Sequence, residues 1–273
     1  MRKLPPFERF LRRSSVYRGR IGGMVTGRKL KSPCAFMHLP KCGGTSLSEA
    51  LYALVPLNQK IGILDAPSTR RALSIFHEGL DDVRPFHDEG DNSAIMMQFR
   101  EQLLLMHMAH ESALVHGHFL FSEKAYQAFG QSYKYITIMR DPLARTISNY
   151  RMAARNKVFV GDFDAFLQSS MGRRMALHSL RYFSGQADIA GKEEANLLAI
   201  AKTNMDRFAL VGFIEQQDKF ASAFHDIFGA APQIGHHNAG GEDQFEITSH
   251  QRARLERLCA PDIELWDYAR RRA

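Results

Sequence analysis

Cysteine is scarce in this chain and poorly placed for covalent or metal cross-links. Among 273 residues there are three, Cys34, Cys42 and Cys259. An odd number without a CxxC pair provides neither zinc-site spacing nor a disulfide framework. Asn-x-Ser/Thr glycosylation sites are absent as well. Apolar runs such as Phe208–Ile214 fall far short of the ~18–20 residues a membrane-spanning helix needs, and the N-terminus lacks the apolar core of a secretory signal. Internal repeats and low-complexity linkers are also missing. Together these absences make a reducing, cytoplasmic location the expectation. A content of 45% hydrophobic and 24% charged residues excludes a mainly disordered or fibrous chain.

Acidic residues are nearly missing from the first 31 positions. That segment holds ten Lys/Arg and only Glu8, a net charge of +9, whereas residues 32–273 carry a net −2. The chain therefore divides into a basic N-terminal arm, residues 1–31, and a domain of residues 32–273. The first expectation for the arm is a frayed, soluble tail. Phe7, Phe10 and Leu11 among the arginines also fit a helix lying on an anionic membrane surface, which would make the protein peripheral at the inner membrane face. An acidic polymer is a second partner of the right charge, and an Arg-rich transit peptide a third reading. Nothing specifies a nucleic-acid sequence.

Within the domain, Cys34–Leu39, Ala113–His118, Lys134–Arg140 and Phe208–Phe213 read as short buried strands. Thr45–Leu54, Gln98–His110, Pro142 to Ala154, residues 162–183 and 192–204, and Gln217–Phe228 have helical spacing. A last helix starts at Thr248 and is expected to break at Pro261. Residues 56–95 look polar and irregular. Alternating strands and helices predict a single α/β domain, with a mostly parallel central sheet flanked by helices.

Two stretches carry anion-binding chemistry. Leu39–Ser46 reads LPKCGGTS between a strand and a helix. A glycine turn lets backbone N–H groups converge at a helix N-terminus, where the helix dipole favours an anion. Lys41 adds a full charge, and Thr45 and Ser46 add hydroxyls. Lys41 precedes Gly43 and Gly44, so this is not the GxxxxGK[ST] arrangement. On spacing alone, an ordinary Gly-Gly turn fits equally well. Arg140–Tyr150 reads RDPLARTISNY, with Arg140 ending a strand and Ser148 two turns into the next helix. Both can face an anion at the carboxyl end of a sheet. Arg145 reads as a structural or solvated helix residue.

Val115–Phe119 reads VHGHF, which puts His116 and His118 on one side of an extended strand end, where a near-neutral imidazole is a natural general base. His107 and His110 read as structural or exposed, and His236-His237 as an uninformative loop pair.

In this order, strand–PKCGGTS–helix, then HGH, then strand–RDPLARTISNY, the motifs resemble sulfotransferases that use 3′-phosphoadenosine 5′-phosphosulfate (PAPS). They resemble most the carbohydrate branch, with the heparan sulfate 2-O-sulfotransferases and bacterial relatives. The likeness spans roughly residues 33–215 and implies a P-loop-like fold. It implies that Lys41, Cys42, Gly43, Gly44, Thr45 and Ser46 form the 5′-phosphosulfate loop, with Lys41 also stabilising the leaving group. By the same likeness, Arg140 and Ser148 bind the 3′-phosphate, with Arg181 a later nucleotide contact. His118 is then the general base and His116 an acceptor-site residue. PAPS would be the donor, 3′,5′-bisphosphoadenosine the product, and a glycan or other hydroxyl compound the acceptor, with no metal. A nucleotide-dependent phosphotransferase and a catalytically silent sulfotransferase-like binding protein are the alternatives. The first would need a Mg²⁺ carboxylate after a strand, whereas Asp141 is better placed as a helix cap.

Overall fold

The computed structural model describes residues 6–235 and 245–272. In chain order the elements are α1 (Pro6–Thr26), β1 (Cys34–Met37), α2 (Gly44–Leu54), β2 (Ile61–Leu64), α3 (Ala66–Glu78), α4 (Ser93–Ala109), β3 (Leu114–Gly117), α5 (Glu123–Phe129), β4 (Lys134–Met139) and α6 (Pro142–Arg155). They continue as α7 (Phe163–Gln168), α8 (Ser170–Ala176), α9 (His178–Ser184), α10 (Glu194–Met205), β5 (Leu210–Phe213), α11 (Gln217–Phe228) and α12 (Ser249–Arg270). The five strands form one sheet of order β2-β3-β1-β4-β5, parallel throughout. Parallel strands need crossover connections, and the helices supply them on both faces. β1, β3 and nearly all of β4 are buried, as a sheet covered on both sides requires.

Register determines what each face carries. Phe36, His116 and Ile63 lie in one row, and Tyr52 of α2 reaches His116 across that face. On the opposite face Gly62 lies under His107 of α4; a Cβ there would come within 2.5 Å of the imidazole. β1 is central, with β3 on one side and β4 on the other. The carboxyl ends of these three strands therefore deliver their following loops to one place, the crevice where open α/β sheets bind ligands.

Three expectations need correction. Residues 56–95 are not irregular throughout: they hold β2 and α3. β2 is an edge strand whose IGIL run is bounded directly by Lys60 and Asp65 and leaves Ile63 exposed, so it lacks a clear buried-strand signal. The 162–183 stretch is three short helices, each of α7 and α8 beginning at a side-chain cap, Asp162 and Ser169. The last helix runs through Pro261 without ending. An interior proline costs about 3 kcal/mol of helix propensity. Here the burial of Cys259, Pro261 and Leu265, with the Asp262–Arg145 pair, offsets it.

The basic segment is no frayed tail. α1 packs on α2, with Arg20 donating to the carbonyls of Val55, Pro56 and Gln59. Among the described residues no helix is long and apolar enough to cross a membrane.

Candidate active site

After β1 the chain turns through Lys41 (φ 64°) and Gly43 (φ 71°) into α2. Gly43 is needed twice over. It sits in the left-handed region, and a Cβ would come within 2.5 Å of Ile214 Cδ1. Lys41 holds the same conformation with a full side chain, a strain of the kind that gathers at functional sites. Among the described residues no side chain caps α2 at Gly43, which leaves first-turn N–H groups as donors without that partner. Gly44 and Thr45 open this helix, and Ser46 follows, buried. Cys42 keeps its side chain out of the site. Its thiol is fully buried, lies 3.6 Å from the Pro40 carbonyl, and burial raises its pKa to about 11. Only its backbone can serve the loop.

β4 brings Arg140 beside this turn. Arg140 Nη1 reaches the Lys41 carbonyl at 3.5 Å. α6 then starts at Asp141, whose carboxylate accepts from Ala144 N–H at 2.8 Å, with Pro142 in the first turn. Ser148 is half-buried on α6. One turn on, Met152 Sδ lies 3.8 Å from Lys41 Nζ, and Arg155 stands a further turn along that face. Burial, then Arg155 and Arg140, lower the Lys41 pKa. Among the described residues Lys41, Arg140 and Arg155 have no acidic ion-pair partner. Three cations gathered without a carboxylate at a helix N-terminus repel one another until an anion joins them.

β3 brings the histidines. His118 Nδ1 lies 2.7 Å from the His38 carbonyl, which fixes Nδ1 as the protonated nitrogen and leaves the Nε2 lone pair unused. His116 Nδ1 lies 2.6 Å from Tyr52 Oη, and its Nε2 lies 3.3 Å from His38 Nδ1. His38 and His118 stack with ring centroids 4.5 Å apart. Burial pushes the His118 pKa down to about 4, against the opposing pull of Asp88, and burial with His118 pushes His116 to about 3. Burial together with His118, His116 and Lys41 holds His38 well below its usual range. All three imidazoles are neutral near pH 7, and His118 is set up to accept a proton.

A family model described as the sulfotransferase family matches residues 31–270. The chain belongs to the sulfotransferase family. Among curated proteins, none matches it. The family makes the protein a transferase of sulfuryl groups. The site just described occupies the carboxyl edge of the sheet in that matched region.

The candidate site rests on charged groups buried behind it. Arg100, fully buried, donates to both carboxylate oxygens of Asp88 at 2.9 Å and to the His118 carbonyl at 3.0 Å. It thereby positions the histidine's backbone. Burial alone would raise the Asp88 pKa, but Arg100 and Arg70 outweigh it and hold the carboxylate ionised. Arg145 is indeed structural: fully buried, it pairs with Asp262 at 2.6 Å. Asp262 also accepts from the N–H groups of Ser179 and Leu180, at 2.7 and 2.8 Å, and so caps α9 from a distant helix.

Arg181 is the expected site residue that the structure places differently. It is fully buried, its Nη1 pairs with Glu89, and Glu89 also meets His178 Nε2 at 2.8 Å. Its guanidinium neutralises an internal carboxylate instead of facing an open nucleotide cleft. His38, Tyr52, Met152 and Arg155 belong to the site and were not expected there. His38 immediately precedes the LPKCGG turn, and Arg155 lies seven residues after Ser148; those spacings were the available signals. His236-His237 lies outside the described residues.

Proposed function

We propose that this sulfotransferase moves the sulfuryl group of PAPS to an acceptor hydroxyl, on a carbohydrate. The single observation that carries the donor assignment is the triad of Lys41, Arg140 and Arg155, without an acidic ion-pair partner among the described residues, at the N-terminus of α2. A doubly phosphorylated nucleotide fits that chemistry, because it brings two separate anionic ends to two adjacent cationic loops. When bound, PAPS supplies the activated sulfuryl group. The first-turn N–H groups of α2 and Lys41 hold the 5′ end and neutralise charge gathering on the leaving phosphate oxygen. Arg140, with its fork of donors, and Ser148 take the 3′-phosphate. His118 Nε2 accepts the hydroxyl proton of the acceptor as its oxygen attacks, while Nδ1–H remains on the His38 carbonyl. His116, held by Tyr52, lines the acceptor side. The carbohydrate acceptor follows from the motif likeness alone.

Thermal denaturation with 3′,5′-bisphosphoadenosine, ADP, and ATP with Mg²⁺ tests the donor reading. Selective stabilisation by the bisphosphate is expected. A larger shift with Mg-ATP would overturn it in favour of phosphoryl transfer.

A further inference from the structure

α1 is built inside out for a soluble surface helix. Its protein-facing side is made of small and charged residues. Gly19 lies so close to Ala53 that a Cβ would meet it at 2.8 Å, and Gly23 lies over Arg28 and Pro56. Arg12 reaches Glu49 at 3.8 Å, and Arg20 is tied to three carbonyls of the α2–β2 connection. The opposite side, at helical spacing, carries Phe10, Ile21 and Met24, with Leu11 and Val25 on its flank, all exposed; Tyr17, also exposed, stands at the edge of the stripe, where it and Arg13 border the groove that α1 forms with Tyr52, Lys60 and Ile63. Phe10 keeps 65% and Val25 76% of its surface in solvent. An apolar stripe of this size on one helix marks a docking surface. Arg13, Arg18 and Arg28, also exposed, border the stripe, and from Arg9 to Lys31 there is no acidic residue.

We propose that α1 docks the protein on an anionic lipid surface, with the Phe10–Met24 stripe entering the headgroup boundary and the bordering arginines meeting lipid phosphates. Charge complementarity selects this occupant. A bilayer interface offers apolar depth and negative charge together, which is what an apolar stripe edged by arginines matches. A second copy of the chain does not: a two-fold contact through the stripe would bring its bordering arginines against those of the other copy, with no acidic residue of the segment to pair them. A soluble polyanion would meet the arginines but leave the aromatic and aliphatic side chains in water. The inference stands on α1 alone and does not depend on the donor or acceptor of the reaction.

The test is co-sedimentation of the full chain with vesicles of phosphatidylcholine alone and of phosphatidylcholine mixed with phosphatidylglycerol. Binding to the anionic vesicles is expected to exceed binding to the neutral ones by more than about tenfold and to weaken as salt is raised. Phe10→Ser/Tyr17→Ser/Ile21→Ser should abolish it, and Arg13→Gln/Arg18→Gln should weaken it about fivefold per arginine. These side chains are exposed, so both variants should keep the wild-type far-UV circular dichroism and melting temperature; if the triple variant unfolds, Ile21→Ser alone carries the test. Equal binding to both vesicle types, no binding to either, binding to heparin alone, or a dimer that the triple variant dissolves would each overturn the proposal.

Discussion

Acidification should unfold this protein from the site outward, and the histidine stack sets the pH at which that begins. His38, His116 and His118 are all held below 6.5, the usual value for histidine: His118 at about 4, His116 at about 3, and His38 well below its usual range. The unfolded chain therefore takes up these protons first as the pH falls. The stability associated with neutral imidazoles is fully present above pH 6.5 and is lost progressively toward pH 4. One pH unit below 6.5, each such group contributes a loss of about 1.4 kcal/mol, or about 4 kcal/mol for three. His38 and His118 are partly exposed, so solvent screening brings the expected loss nearer 2–3 kcal/mol. That is a large part of the ~5–15 kcal/mol typical of a folded domain. The carboxylates act in a lower window. Glu89, held at about 2 by Arg181 and His178 against the effect of burial, loses its contribution only as the pH falls below about 4.5. Urea denaturation at closely spaced pH values between about 7.5 and 5.5 measures the slope, to which His87, His107 and His178, also lowered by burial, add, and His116→Gln should make it shallower. A urea midpoint that stays constant across that range, or an unchanged slope in His116→Gln, would refute the reasoning.

His118→Ala should lower turnover by about 10²–10⁴ while 3′,5′-bisphosphoadenosine still binds, checked by steady-state rates and calorimetry; loss of binding alongside would place the histidine in nucleotide recognition instead. Lys41→Gly and Lys41→Ala should both abolish transfer, but Lys41→Gly should be the more stable of the two by about 1 kcal/mol in chemical denaturation, because it relieves the left-handed backbone. Asp262→Asn leaves a buried guanidinium without its counter-charge and should cost about 3–5 kcal/mol of stability, seen as a lowered denaturation midpoint.

The parts of the fold and site that the sequence announced are those governed by local backbone chemistry. The turn after β1 shows itself through Gly43, whose conformation few other residues tolerate, and α6 through the Asp141-Pro142 start. Apolar runs revealed β1, β3, β4 and β5, since strands buried on both faces are nearly continuous in hydrophobicity. β2 stayed hidden because its apolar run stops at once at Lys60 and Asp65, and its Ile63 faces outward. The buried ion pairs were invisible for a different reason. Asp88 and Glu89 sit in a stretch of polar residues, and what buries them is Arg100, Arg70 and Arg181, brought from other elements. Arg181 was misplaced for the same cause: its role is decided by a carboxylate 92 positions away. The composition of the arm showed its charge but not its docking, which depends on Gly19 and Gly23 lying against α2 and its following loop.

The account depends on Lys41 and Arg140 holding the two ends of one nucleotide. Calorimetric titration of 3′,5′-bisphosphoadenosine and 5′-AMP into wild type and Arg140→Ala tests this most directly. Wild type should prefer the bisphosphate, and Arg140→Ala should weaken the bisphosphate roughly tenfold to a hundredfold, the loss of one or more charge-assisted hydrogen bonds, while leaving 5′-AMP nearly unchanged. Equal losses for both ligands, or no preference in the wild type, would contradict it.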